Sequence, residues 1–287
     1  MKYEKTGVVG LGLIGGSMCR ALKKYGEREI TGFDLSEKVM KEAYDAGAID
    51  HIGDEAALQR IELLFLALYP HDCVEYVRAH AARLQRGVVI IDLCGVKSYV
   101  CEALTQLAAE HGFVYIGAHP MAGREFSGFS YSQADLFRNA AMILTPTQAS
   151  APEALSMAEA LFYKIGFTKI VHTTPENHDK MIAFTSQLAH VVSSAYIKSP
   201  EASRHNGYSA GSYKDLTRVA KLNETMWTEL FLENADYLVE EIDGIIRHLN
   251  EYRNSIAARD AQTLKALLRD GRIRKEKIDF ETGSGNA

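Results

Sequence analysis

In the stretch "VVGLGLIGGS", Gly10, Gly12 and Gly15 stand in G-x-G-x-x-G spacing, directly after an apolar run of strand length and directly before a helical pattern. Few sequence features restrict a fold so tightly. Gly10 lets the chain turn sharply, Gly12 lets backbone approach a diphosphate, and Gly15 lets the following helix pack close to the strand. The helix N-terminus then faces the phosphates with unpaired N–H groups. Asp34 stands 19 positions beyond Gly15, at the end of the next strand-like run, "EITGFD". A carboxylate there accepts hydrogen bonds from ribose hydroxyls and repels a 2′-phosphate. No arginine directly follows it in "DLSEK". The expected cofactor is therefore NAD, with NADP less favoured. Gly10, Gly12, Leu13, Ile14, Gly15 and Asp34 are its expected contacts, joined by Asp92 at a neighbouring strand end.

The first part of the chain continues this βαβ rhythm. "IELLFLALY" and "GVVIIDLC" are unbroken apolar runs of strand length, the mark of a parallel sheet buried on both faces. "FVYIGA", "AMILTP" and "FTKIVHT" add further strands. The pattern predicts an α/β fold with an N-terminal Rossmann-type, doubly wound parallel sheet. After Thr174 the pattern turns helical, with Pro175 where a first turn tolerates it. Near the C-terminus, Leu238, Ile242, Ile245, Leu249, Tyr252 and Ile256 form an a/d seam that must bury against another helix. The predicted organisation is a Rossmann domain over 1–173 and an all-α substrate-binding and dimerisation domain over 174–287, in a homodimer.

Bulk properties narrow the function. The chain has 287 residues and a formal net charge of -5, which argues against a nucleic-acid partner. No segment reaches the roughly 18 unbroken apolar residues of a membrane helix. Four cysteines, Cys19, Cys73, Cys94 and Cys101, show neither C-x-x-C pairing nor zinc-ligand spacing. Reduced thiols, a cytoplasmic location and no metal are the expectation.

Ligands bind outside the carboxyl ends of the strands in such a sheet. "FVYIGAHPMAGRE" delivers His119, Arg124 and Glu125 there, and "VVIIDLCGVKS" delivers Asp92, Cys94, Lys97 and Ser98. Histidine titrates near 6.5 and suits a base that takes a hydroxyl proton as hydride leaves. Pro120 restricts the backbone behind His119. On the helical side, Ser186 and His190 lie four residues apart on one helix face. Arg218 stands between apolar neighbours, where a guanidinium would suit a carboxylate substrate.

Together these segments closely resemble the TyrA family, the prephenate and arogenate dehydrogenases, over nearly the whole length. The marks are "GLGLIGGS", "DLCGVK", "HPMAGREFSG", "NHDKMIAFTSQLAH" and "KDLTRVA". The resemblance implies NAD-dependent oxidative decarboxylation of prephenate to 4-hydroxyphenylpyruvate in tyrosine biosynthesis. It implies His119 as the base on the ring 4-hydroxyl, Arg218 on a substrate carboxylate, His190 at the substrate side chain and Glu125 at the pocket mouth. Ser186 and Ser98 are grouped with the substrate side. Two departures stand out. The family commonly has a serine supporting the catalytic histidine where this chain has Gly95, so Ser98, Cys94 or a water takes over, or that support is absent. The helical segment often reads Ser-His-Leu-Pro-His, and Gln187 and Ala189 differ here. Neither a chorismate mutase bundle nor an ACT domain is expected, so tyrosine, if it inhibits, would act at the active site. Arogenate is the alternative substrate. A β-hydroxyacid dehydrogenase-like enzyme would need a lysine from the helical half, and Lys180 and Lys214 lack that group's motif. A non-catalytic NAD-binding sensor is the reading from another class; Gly95 favours it, and His119 with Arg218 counts against it.

Overall fold

Strands buried on both faces have no polar side to alternate with, and the centre of this sheet is built from them. The computed structural model describes residues 4–26, 28–124 and 126–282. Its sheet comprises β1 (Lys5–Val9), β2 (Glu29–Phe33), β3 (His51–Ile52), β4 (Leu63–Leu66), β5 (Val89–Asp92), β6 (Val114–Pro120), β7 (Ala141–Thr145) and β8 (Lys169–His172). The spatial order is β3-β2-β1-β4-β5-β6-β7-β8. All neighbours are parallel except β6 and β7. Seven of these strands match the apolar runs in the sequence. The two-residue β3 is too short to leave a pattern.

The helices of this layer are α1 (Leu13–Ala21), α2 (Glu37–Asp45), α3 (Glu55–Leu58), α4 (Pro70–His80), α5 (Ser98–His111) and α6 (Pro152–Lys164). Alternate residues of β4 divide between two cores, as a pleated strand requires. Leu63 and Phe65 join Met18 of α1 and Phe162 of α6 on one face. Leu64 and Leu66 join Val74 and Val77 of α4 and Leu104 of α5 on the other. The sheet is therefore doubly wound, and its order reverses between β1 and β4, where a crevice opens at the carboxyl edge.

The antiparallel β7 changes the path of the chain. The segment between Pro120 and Ala141 leaves and re-enters at that same carboxyl edge. It docks on α1: Gln133 donates its N–H to Ser17 Oγ at 2.9 Å, and Arg20 Nε donates to Ser132 Oγ at 2.9 Å.

Beyond β8 the described chain is helical: α7 (Pro175–Ile182), α8 (Leu188–Tyr196), α9 (Gly211–Thr217), α10 (Glu224–Leu232), α11 (Ala235–Ala257) and α12 (Ala261–Thr282). A π-helical turn, Ala183–Gln187, joins α7 to α8. By compactness the chain divides into Met1–Ala235 and Asp236–Ala287. Helices α7 to α10 thus belong to the same compact unit as the sheet. In the second unit the seam on α11 is only partly covered: Leu238 is buried, while Leu249 is 58% and Ile256 60% exposed. No helix among the described residues is long and apolar enough to cross a membrane.

Candidate active site

The glycine loop at the β1–α1 turn is set by backbone crowding. Gly10 has φ +82°, and a Cβ on it would lie 2.5 Å from the Ala67 carbonyl oxygen of the neighbouring chain crossing. A Cβ on Gly15 would lie 1.8 Å from the Gly10 carbonyl oxygen, an impossible approach. Gly12 is the opposite case, with nothing within 4 Å of its missing side chain. It caps α1 without any side-chain hydrogen bond, and no acidic residue occupies the first turn, which begins with Leu13 and Ile14. An open, uncapped helix N-terminus is an anion site. Asp34 closes the loop from the end of β2: its Oδ2 accepts the Leu11 N–H at 2.8 Å and its Oδ1 accepts the Ser36 N–H at 2.9 Å. Each carboxylate oxygen keeps a further lone pair for a ribose hydroxyl. The residue chemistry fits a dinucleotide.

At the ends of β5 and β6 lies a buried polar network. Asp92 and Lys97 are both fully buried and form an ion pair. Lys97 Nζ also donates to the Ala118 carbonyl at 2.7 Å, one residue before His119. Asp92 accepts the Cys94 N–H at 2.9 Å and the Tyr115 hydroxyl at 2.7 Å. Asp92, expected at the dinucleotide, therefore binds the β5–α5 turn to β6 with its carboxylate engaged on both oxygens.

His119 is half-buried at the penultimate position of β6. Its Nδ1 lies 2.8 Å from Nε2 of His178, and His178 Nδ1 lies 2.7 Å from Oδ1 of Asp179. Both His178 and Asp179 are buried in the first turns of α7. Asp179 also accepts the backbone N–H of Lys97 at 2.8 Å and of Ser98 at 2.7 Å. Those are orphan donors at the start of α5, and the carboxylate from α7 caps them. Ser98, expected on the substrate side, contributes this backbone donor. Burial, then the charges of His178 and Lys97, hold the His119 imidazole well below the ordinary histidine range. Burial also lowers His178, outweighing the pull of Asp179. Burial alone would raise Asp179, but hydrogen bonds from His178 and Ser98 outweigh it and lower its pKa.

On the helical side, His190 Nδ1 donates to the Ser186 carbonyl at 2.9 Å, from α8 back into the π-helical segment. Ser186 thus meets His190 through its backbone. The His190 ring packs against Trp227 of α10, centroids 4.0 Å apart and planes tilted by 31°. Burial depresses its pKa, the Ser186 carbonyl opposes this, and the nearby Arg218 charge depresses it further. Arg218 is solvent-exposed and follows the last residue of α9. Gln187, a departure from the family pattern, is buried: it donates to the Leu230 carbonyl at 2.9 Å and accepts from Asn234 at 2.7 Å. Asn234 donates in turn to the Asp179 carbonyl at 2.9 Å.

Leu230 lies against Gly95, where an added Cβ would be 3.3 Å from Leu230 Cδ2 and 4.0 Å from His119 Nε2. Trp227 and Leu230 are three residues apart on α10 and share a face. One helix face therefore touches both the His190 ring and the loop beside His119. Trp227, His178, Asp179 and Gln187 were not singled out in the sequence as functional. "NHD" enters the sequence reading only as part of a longer family mark, and the use of its His and Asp becomes visible where α7 rests on α5. Glu125, expected at the pocket mouth, lies outside the described residues.

Comparison with known proteins places the chain by family and fold. A family model described as the nucleotide-binding domain of prephenate dehydrogenase matches residues 18–171. One described as the prephenate dehydrogenase dimerization domain matches residues 174–270. A prephenate dehydrogenase of Lactococcus lactis is 30% identical over 98% of this chain and 79% of its own length. A cyclohexadienyl dehydrogenase of Zymomonas mobilis is 31% identical over 91% of this chain and 92% of its own. The crystal structure of a prephenate dehydrogenase from A. aeolicus, in complex with hydroxyphenyl propionate and NAD+, superposes with a TM-score of 0.86 at 26% identity, covering 97% of this chain and 99% of that one. With matching models across both parts and a matching fold, the chain belongs to the prephenate dehydrogenase family.

Proposed function

We propose that this chain is a prephenate dehydrogenase, oxidising prephenate with NAD and releasing carbon dioxide and 4-hydroxyphenylpyruvate. The observation that carries the reading is the shared face of α10, where Trp227 packs against the His190 ring and Leu230 borders the loop beside His119. A carboxylate-binding side and a base then border one helix, as a ring bearing both an acid and an alcohol requires. Bound NAD supplies the acceptor for the hydride that leaves ring C4. His119 Nε2 takes the 4-hydroxyl proton as the C4–H bond breaks. The bond from C1 to the carboxylate then breaks, its electron pair stays in the ring, and His119 returns the proton to the phenolic oxygen. Aromatisation drives the step, so the residues supply orientation and proton placement. Arg218 binds a substrate carboxylate, His190 borders the substrate side chain with an Nε2 that accepts because Nδ1 carries its proton to the Ser186 carbonyl, and Glu125 is assigned to the mouth.

The cofactor reading rests on Gly10, Gly12, Leu13, Ile14, Gly15 and Asp34. Gly12→Ala should remain within about 0.5 kcal/mol of the parent in stability, since its Cβ meets nothing. NAD affinity should drop, because that Cβ would fill the space above the helix N-terminus. Urea unfolding and a fluorescence titration with NAD check both. The same reading divides the chain at 173/174, and the abutting family models support that division. It also makes the chain a homodimer, supported by the exposed apolar residues Val239, Ile246, Leu249 and Ile256 on α11 and Leu268 and Ile273 on α12.

Absorbance at 340 nm with prephenate or arogenate, each with NAD or NADP, tests the reading directly. Faster NADH production from prephenate supports it. Faster turnover of arogenate transfers the activity to that substrate, and no turnover of either removes it. Arg218→Gln should raise KM for prephenate by ~10-fold or more with kcat little changed, the signature of uniform carboxylate binding. Initial-rate kinetics separate the two constants.

A further inference from the structure

We propose that His178 and Asp179 are positioning residues that keep the proton of His119 on Nδ1 and leave Nε2 bare as the base. The proposal rests on the activity proposed above but is argued from hydrogen-bond polarity and burial. Asp179 is the fixed end of the chain of contacts. Its two oxygens accept the Lys97 and Ser98 N–H groups at the start of α5, so it is an acceptor at each of these contacts. The nitrogen facing it at 2.7 Å, His178 Nδ1, must therefore carry a proton, since a lone pair there would face a carboxylate lone pair.

His178 is buried and its pKa is depressed, so it is neutral and has one ring proton to place. That proton is on Nδ1, and His178 Nε2 is left as an acceptor. His119 Nδ1, 2.8 Å away, must then donate. A neutral His119 has only that proton, and its Nε2 is unprotonated. The free nitrogen faces Gly95, which has no side chain to hold it. Orientation of the ring therefore comes from the Nδ1 side, through α7, and the absence of a hydroxyl at residue 95 leaves the base nitrogen free for a substrate proton.

The proposal assigns a structural purpose to the α7–α5 contact: the carboxylate that caps α5 also sets the tautomer two residues of contact away. Histidine tautomers are distinguishable by 15N chemical shift, and the measurement needs no substrate. In full-length protein labelled with 15N-histidine, His119 should be protonated on Nδ1 and bare on Nε2. His178→Phe keeps ring volume but removes the acceptor. It should move part of the His119 population to the Nε2–H form and lower kcat by ~10- to 100-fold, with KM for prephenate nearly unchanged. His178→Gln offers Oε1 as a replacement acceptor and should recover much of that kcat and the Nδ1–H tautomer.

A wild-type His119 protonated on Nε2 overturns the proposal whatever the activity. So does a His178→Phe protein with unchanged tautomer and unchanged kcat, or a His178→Gln protein as impaired as His178→Phe. Should His178→Phe not fold, the wild-type and His178→Gln spectra decide between the two outcomes. If prephenate is not oxidised at all, the activity reading fails while the tautomer result still stands or falls by itself.

Discussion

Replacing His119 by asparagine is expected to lower turnover of prephenate by ~10²-fold or more while leaving NAD affinity nearly unchanged. Asparagine keeps a polar group at the strand end but cannot accept and return a proton. The ring lies at the end of β6, away from the glycine loop at the β1–α1 turn, so the dinucleotide contacts are not touched. A pH profile of the parent enzyme carries a second expectation. His119 titrates well below the ordinary histidine range, so the base remains neutral as the pH drops through 6.5. The acid limb of kcat/KM should therefore fall below that value. Stability follows the same sign. His119, His178 and His190 bind protons less readily folded than unfolded. Their contribution is complete above the unfolded pKa near 6.5 and is lost as the pH falls toward the folded values. Stopped-flow or steady-state rates in overlapping buffers, with thermal melts at each pH, test both statements.

Replacing Lys97 by methionine should cost ~3–5 kcal/mol of stability, because it strands the Asp92 carboxylate in a site with no access to water. The Cys94 N–H and the Tyr115 hydroxyl would remain as donors, too few to offset a buried charge. The double variant Lys97→Met with Asp92→Asn removes the charge as well and should regain much of the loss. Urea unfolding of the parent, both single variants and the double variant closes the cycle. A network acting only as packing would give additive losses and no recovery. Because Lys97 also depresses the His119 imidazole, the single variant should carry its acid limb to higher pH than the parent.

Much of the fold was legible because backbone constraints leave residue-level marks. Gly10 and Gly15 are where a Cβ would collide with a carbonyl, so their identity announces the turn. β4 and β5 are buried on both faces, so their sequences cannot alternate. Direction is different. "AMILTP" reads as a strand, but nothing in a short apolar run says whether it lies parallel or antiparallel to its neighbour, and β7 is antiparallel. His119 stood out because a proline and glycines surround it at a strand end. His178 and Asp179 did not, because their function depends on α7 meeting the start of α5, more than 70 residues earlier in the chain. Gln187 looked like a loosened match and is a buried bridge between α10 and the turn before α8. Trp227 was hidden for the same reason: on its own helix it pairs with Phe231 like any core aromatic, and only the fold places His190 against it.

The antiparallel strand has a consequence for how such a molecule can diverge. A crossover between parallel strands must span the full depth of the layer, so its length is constrained at both ends. The stretch from Met121 to Ala140 is exempt: it departs from and returns to one rim, like an awning fixed along a single wall. Residues can be added to or trimmed from it without re-threading any strand. It leans on α1 through Ser17 and Arg20, so its reshaping changes what lies against that helix while the sheet is left alone.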